Sequence, residues 1–187
     1  MKWKLSVAIL AVLTLLGAAV IVLAVSTIEV PKTAHTQAVT TPEPPTVEEL
    51  LRLVNEERAK VGVAPLVLDP LLNKSAQIKA DDMLKNSYFG HVDAQGKHGY
   101  EYVADVGKNC IVPSENIVGE KSSIGAVEWW MNSQSHREAI HNSNYESVGF
   151  GIRFVERIPL SSIQSTKPVN SDLVDSYVIV QHFCDER

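Results

Sequence analysis

The stretch SVGFGIRFV, residues 147–155, carries an apolar side chain at every second position, and SYVIVQHFC, residues 176–184, has the same period. A period of two predicts β-strands that turn one face toward a core. The segment between the two stretches is too long for a tight turn, so we expect it to be a surface loop. The C-terminal third of the chain is therefore predicted to form paired antiparallel strands.

Helical patterns precede these strands. The first begins at a capping box, in which Thr46 caps the helix and Glu49 reaches back to it. The second begins at Asp69, with Pro70 in the first turn, where a missing N–H costs nothing. Further helices are predicted over residues 99–107, over residues 123–132, and from His136 onward with Ser135 as its cap. Helices followed by antiparallel strands predict an α+β fold.

The N-terminus has the pattern of a membrane anchor. Residues 5–25 contain no charged side chain and are numerous enough to cross a bilayer as one helix. Only Lys2 and Lys4 precede them, so we expect residues 1–4 in the cytoplasm and the rest of the chain outside the cell membrane. The alternative is a cleaved signal peptide and a secreted domain, but the apolar run exceeds the roughly 7–15 residues usual there.

Residues 26–45, rich in Thr and Pro, predict an extended linker, and the folded domain is predicted over residues 46–187. Without the two N-terminal lysines, 15 basic residues (17 − 2) face 22 acidic ones. This balance argues against nucleic-acid binding and against adhesion to anionic lipid.

The two cysteines, Cys110 and Cys184, both follow the predicted anchor. An oxidising compartment permits a disulfide between them, which we predict; two free buried thiols are the alternative.

Candidate site residues are scattered along the chain. His91 follows the second helix in a glycine-containing loop, with His98 seven residues on. Glu115 stands in the segment PSENIVGE, where it is either a carboxylate of a loop or turn or a carboxylate held by neighbouring amides near the imidazoles. His136 is predicted at the first turn of its helix, where the helix dipole disfavours the imidazolium and lowers the pKa. A neutral imidazole is the form that a metal or a substrate carbonyl requires.

Several of these segments resemble the CAP superfamily of cysteine-rich secretory, antigen 5 and pathogenesis-related proteins, also called SCP-like domains, in its prokaryotic branch. The similar segments are, in order, VNEERAKVGVAPLVLDPLLNKSAQIKADDMLKNSYFGHVDAQG, SENI, AVEWWMNSQSHREAIHNSNYESVGFGI and VQHF, which span about residues 47–184. The resemblance implies a three-layer α-β-α sandwich with a central antiparallel sheet. It also implies a cleft lined by histidines and glutamates, which in some members binds a divalent metal.

Carried over by position, the resemblance makes His91 the first cleft histidine and Glu115 the first cleft glutamate. His136 fits the Ser-x-x-His-Arg element of the prokaryotic branch, and Asn55 and Arg58 fit a structural Asn-x-x-Arg element.

The chain departs from the eukaryotic pattern at two positions, where Ser133 stands for a glutamate and Val178 for a histidine. Glu128 or Glu120 could replace the missing glutamate.

These residues leave three functions open. We expect a membrane-anchored binding module without catalysis, with a cleft for a peptide, a glycan or a lipid and a tentative metal site at His91 and His136. The alternative is a peptidase-like hydrolase in which His91, Glu115 and His136 hold Zn²⁺ or another divalent ion, or Glu115 acts as general base. The third is a structural envelope protein. The resemblance supplies no general reaction, and no nucleophile stands beside a base, so binding is favoured over catalysis.

Overall fold

The computed structural model describes residues 42–159 and 173–186, and the chain from Thr40 onward forms one compact unit. Its helices are α1 (Val47–Lys60), α2 (Pro70–Lys85), α3 (Gly99–Asp105), α4 (Ser123–Asn132) and α5 (Gln134–His141). Its strands are β1 (Val67–Leu68), β2 (Ser114–Glu120), β3 (Ser147–Pro159) and β4 (Leu173–Cys184). The predicted α+β class is confirmed.

The predicted membrane helix over residues 5–25 and most of the linker over residues 26–45 lie outside the described residues. Within the two described ranges, no helix is both long and apolar enough to span a bilayer. Of the loop predicted between the last two strands, only the ends are described, and there β3 continues to Pro159 and β4 begins at Leu173.

The four described strands form one sheet in the order β1-β3-β4-β2. β3 and β4 pair antiparallel, and β4 also pairs antiparallel with β2. Two features correct the prediction. The two-residue β1 runs parallel to β3, so the sheet is not wholly antiparallel, and the segment around Glu115 is the strand β2 rather than a loop. The strand forms because Ile117 and Val118 bury opposite faces of this segment against the helices.

Helix α2 lies flat on one face of the sheet because two glycines of β3 face it. A Cβ atom at Gly149 would collide with the backbone of Leu72, and one at Gly151 with the backbone of Ala76. The apolar contacts on this face come from residues with small or unbranched side chains on α2 and from β-branched ones on the strands, namely Ala76, Ala80, Met83, Ile117, Val178 and Val180.

The opposite face packs against α1, α4 and α5 and holds the larger core. Its buried members include Leu50, Val54, Trp130, Ile140, Phe150, Ile179 and Phe183. Helices thus cover both faces of the sheet, as the predicted sandwich requires. Arg58 is fully buried on this side, and its guanidinium donates to four backbone carbonyls, those of Ala64, Ile140, Asn142 and Tyr145. Its predicted structural role is consistent with these contacts.

Local signals placed most helix starts correctly. The Thr46 hydroxyl accepts from the backbone N–H of Glu49, and the Asp69 carboxylate accepts from the first turn of α2. The start of α5 was predicted wrongly, because the helix begins at Gln134 with Ser133 as its cap rather than at His136 behind Ser135. Ser133 occupies the cap position without a side-chain cap hydrogen bond, and its hydroxyl bonds to His136 Nδ1 instead.

The predicted disulfide between Cys110 and Cys184 is confirmed, with the two Cα atoms 5.3 Å apart. It joins the segment between α3 and β2 to the last residue of β4. Both this segment and β4 contribute residues to the candidate site.

Candidate functional site

The Glu115 carboxylate is the centre of the candidate site. Glu115 on β2 stands directly opposite His182 on β4, so both side chains lie on the face of the sheet that α2 covers. His182 is fully buried, and its Nε2 lies 2.9 Å from Glu115 Oε2. Since an ionised carboxylate only accepts hydrogen bonds, this nitrogen donates.

His91 reaches the same carboxylate from the loop that follows α2. Its Nδ1 lies 2.8 Å from Glu115 Oε1. The Glu115 side chain is 6% exposed, whereas the His91 side chain is 57% exposed. The buried carboxylate therefore holds an imidazole whose other edge faces solvent.

The pKa of Glu115 is set by opposing effects. Burial raises it, but the hydrogen bonds from His182 and His91 lower it, and the positive charge of Lys79 lowers it further. The net effect is a pKa below the ordinary value, so Glu115 is ionised at neutral pH.

Gly99, the first residue of α3, lies against this carboxylate. A Cβ atom at this position would collide with the Glu115 carboxyl group. The Gly99 N–H also donates to the His91 carbonyl oxygen at 3.1 Å. A glycine is needed here because α3 approaches both partners of the His91–Glu115 pair at once.

Ser75 extends the cluster on the buried side. Its hydroxyl oxygen lies 2.7 Å from His182 Nδ1 and 3.0 Å from the Leu72 carbonyl oxygen. The spatial order Ser75–His182–Glu115 resembles a nucleophile, a base and an orienting carboxylate. Because Ser75 is fully buried and its single proton is used inside the protein, its hydroxyl does not reach a substrate.

His136 lies near His91 but has its own hydrogen-bond partner. Its Nδ1 bonds to the Ser133 hydroxyl at 2.7 Å, and its ring meets Trp129 edge-on with centroids 5.0 Å apart. Its carbonyl oxygen accepts from Asn116, whose side chain points to the sheet face opposite Glu115. The pKa of His136 is lowered, by burial first and by the nearby His91 second.

A cleft of about 200 Å³ opens beside the His91–Glu115 pair. Its lining includes His98 and Tyr100, whose rings stack at 5.2 Å between centroids, and Pro113 on the other side. Typical ligand pockets have roughly 300–1,000 Å³. The cleft therefore has room for one residue of a larger ligand.

Residues 51–157, more than half of the chain, match the sequence profile of CAP, the cysteine-rich secretory protein family. The chain belongs to the CAP family. YkwD of Bacillus subtilis (strain 168) is 35% identical over 126 residues, which are 65% of this chain and 49% of YkwD. The membrane protein YlbC of the same organism is 32% identical over 106 residues, which are 56% of this chain and 31% of YlbC. This CAP protein thus spans about half or less of the length of these relatives.

Solved structures share the fold. An extracellular protein containing an SCP domain from Bacillus anthracis str. Ames superposes with a TM-score of 0.59 at 19% identity, over 75% of this chain and 40% of that one. An outer surface protein from Borrelia burgdorferi gives 0.57 at 18% identity, over 74% of this chain and 92% of that one. At these identities the likeness establishes the CAP fold alone.

The described residues do not form the three-ligand metal group that the hydrolase hypothesis requires. Both Glu115 oxygens already accept from imidazoles, and the His136 Nδ1 is engaged by Ser133. In residues 42–159 and 173–186, no three His, Cys, Asp or Glu side chains are grouped as metal ligands. Metal binding by His91 and His136 therefore stays a prediction.

The proposed substitutes for a second cleft glutamate are also displaced. Glu120 lies at the far end of β2, next to Gly125, and Glu128 is exposed on α4. Val178 lies in the apolar cluster under α2, and the histidine of β4 is instead His182, four residues later on the same face.

Sequence reasoning missed His182, Ser75 and Lys79. Each carries a detectable signal, since each is a polar residue on an otherwise apolar face. His182 follows Val178 and Val180 along β4, while Ser75 and Lys79 interrupt the buried face of α2. Such interruptions indicate a buried polar cluster.

Proposed function

We propose that this CAP domain is a non-catalytic binding module whose ligand contacts the cleft at His91. One observation carries the proposal: Glu115 is buried with each of its oxygens bonded to an imidazole, while His91 remains half exposed at the cleft. A carboxylate held in this way fixes the orientation of His91. A rigid, exposed imidazole is suited to hydrogen bonding with a ligand.

The surroundings of Glu115 argue against hydrolysis. A general base must reach the proton that it removes, but both Glu115 oxygens are engaged and the side chain is covered. The neighbouring hydroxyl, that of Ser75, is buried. Metal-assisted hydrolysis, the alternative function, lacks a three-ligand group among the described residues, so we do not favour it.

The lining of the cleft suggests the class of ligand. An exposed, stacked His98–Tyr100 pair offers an aromatic surface beside the polar His91. Such a combination suits a sugar ring or the side chain of an extended peptide. The small volume favours a glycan or peptide that places one residue in the cleft and continues over the surface.

We place the domain outside the cytoplasm, anchored by residues 5–25. The uncharged N-terminal stretch and the disulfide support this location, and the relative YlbC is itself a membrane protein. In intact cells, external protease should digest the CAP domain and spare a tag fused to Met1. Protection of both from the protease would contradict the proposed topology.

The binding proposal is tested with the full chain on a glycan array and a peptide array. His91→Ala should weaken the strongest interactions by at least about tenfold, the effect of losing one hydrogen bond to an imidazole. Gln95→Ala, an exposed substitution in the same loop, is the matched control and should leave binding unchanged.

Two results would overturn the proposal. Binding that His91→Ala leaves intact would place the ligand elsewhere. Cleavage of an arrayed compound that His91→Ala abolishes would make the domain an enzyme.

A further inference from the structure

Lys79 lies beneath the cleft, where the proposed binding role does not use it. Its side chain is fully buried, one helical turn after Ser75 on the same face of α2. Its Nζ donates to the Tyr88 hydroxyl at 3.0 Å and to the His91 carbonyl oxygen at 3.3 Å. The rings of Tyr88 and Tyr102 lie 4.9 and 5.1 Å from Nζ. A buried positive charge therefore contacts the backbone of the exposed cleft histidine.

Packing alone does not explain an ammonium group at this position. Apart from Ser75, the neighbouring buried side chains of α2 are apolar, those of Ala76, Ala80 and Met83. Both hydrogen-bond acceptors of Lys79 are neutral, so they compensate only part of the cost of removing a charge from water. An apolar side chain of similar length would fill the space at lower cost.

Four charged groups act on Lys79 from the surrounding elements. Burial lowers the pKa of Lys79, whereas Glu115 of β2, Asp93 of the His91 loop and Asp82 of α2 raise it, and Lys97 of that loop lowers it. The three carboxylates oppose the effect of burial. The ammonium charge in turn favours the ionised form of Glu115.

The hydrogen bonds continue from Lys79 into the loop that carries His91. The Tyr88 hydroxyl donates to Asp82 Oδ2 at 2.6 Å. The Tyr102 hydroxyl lies 2.9 Å from that same oxygen and 2.9 Å from Asp93 Oδ2. The loop is thus attached to α2 at the His91 carbonyl, and its Asp93 carboxylate contacts Tyr102 of α3, which lies between Asp93 and Asp82.

We propose that Lys79 is a positioning residue of the cleft, which holds the His91 carbonyl so that the His91 imidazole stays on Glu115. The His91 side chain is otherwise free to rotate in solvent, and its ordering has an entropic cost. Fixing the backbone of His91 from below reduces the motion that would break the bond to Glu115. The inference rests on the proposed function only for the importance of His91, and its test needs no ligand.

The test measures the tautomer of His91 by long-range ¹H–¹⁵N NMR of the full chain at about pH 8. Bonding to Glu115 keeps the proton of His91 on Nδ1, whereas a free imidazole favours Nε2. In Lys79→Met, the ratio of the Nδ1–H to the Nε2–H form of His91 should fall by about tenfold, the loss of one charge-assisted contact. The His182 signal should not change, because Lys79 does not hold the His182 backbone.

Lys74→Met is the matched control, since Lys74 is exposed on the same helix. Tyr88→Phe removes one partner of Lys79, keeps the ring, and should shift the His91 tautomer in the same direction. If Lys79→Met does not fold, the tautomer ratio in Tyr88→Phe is the test of the inference. A His91 tautomer ratio within about twofold of the unchanged chain in whichever of the two variants folds would overturn the inference, since about tenfold is expected. If Lys79→Met loses array binding while the His91 tautomer is unchanged, the positioning role is wrong. If the His91 tautomer shifts while array binding is unchanged, the binding proposal is wrong.

Discussion

Each face of the sheet buries one cation, and the two are held in different ways. Arg58, between α1 and α5, directs its guanidinium to four backbone carbonyls. Lys79, on α2, has two neutral hydrogen-bond acceptors and lies against the cleft. The first arrangement satisfies acceptors that α5 and its following loop leave open. The second leaves a charge incompletely compensated next to a ligand site. The partners of a buried cation, more than its burial, therefore indicate whether it supports the fold or the site.

Arg58→Met should have the largest effect. It leaves four carbonyls without their donor, those of Ile140 and Tyr145 in buried positions, and we expect a loss of about 4 kcal/mol or more in the free energy of unfolding. Urea denaturation with the disulfide intact measures it. Lys79→Met is the comparison and should change stability by less than about 1 kcal/mol, because an apolar group replaces an incompletely paired charge. Equal losses in the two variants would remove the distinction between the cations.

Gly149→Ala should have the next largest effect. The new methyl group meets the backbone of α2 at Leu72, which cannot move without separating the helix from the sheet. Overpacking of this kind should cost about 3 kcal/mol. Gly90→Ala is the control, because a Cβ atom there has no neighbour within 4 Å. A stable Gly149→Ala protein would mean that α2 does not pack as tightly on β3 as described.

Gly99→Ala should disturb the site and spare the fold. Its methyl group meets the mobile end of the Glu115 side chain rather than a backbone, so the carboxylate moves and the helix does not. We expect a stability change below about 1 kcal/mol, since alanine is also the better helix former. The His91 tautomer ratio should shift toward the free imidazole. An unchanged ratio would show that the carboxylate tolerates a closer α3.

The sequence predicted those parts of the fold that local chemistry determines. Thr46 and Asp69 begin their helices because their side chains accept from backbone N–H groups two or three residues away. The periods of β3 and β4 follow from side-chain alternation within each strand. The strand β2 was missed because its burial depends on helices and strands elsewhere in the chain, and periodicity does not separate such a short run from a loop.

The candidate site was predicted in part for the same reason. His91 and Glu115 contact each other, although their role in binding remains a prediction. His182 was missed because its place depends on the register of β2 against β4, which pairs residues 67 positions apart. The His136 imidazole bonds to Ser133 rather than to Glu115, since the direction of a helical side chain depends on how α5 packs rather than on the motif.

The smallest effect concerns pH and separates the contribution of His136 from that of the carboxylates. The pKa of His136 in the folded protein lies below its ordinary value of 6.5, so the unfolded chain binds the proton first. Stability from this group is therefore complete above 6.5 and decreases as the pH falls through that value toward the lower folded pKa. Glu115 acts in the same direction, but only below its ordinary pKa of 4.5.

Urea midpoints measured from neutral to acidic pH should decrease in two stages. His136→Phe should remove the first stage and keep the second, whereas Gln134→Ala, exposed on the same helix, should keep both. If the first stage persists in His136→Phe, another group causes it. Burial of His136 would then have no measurable effect on stability.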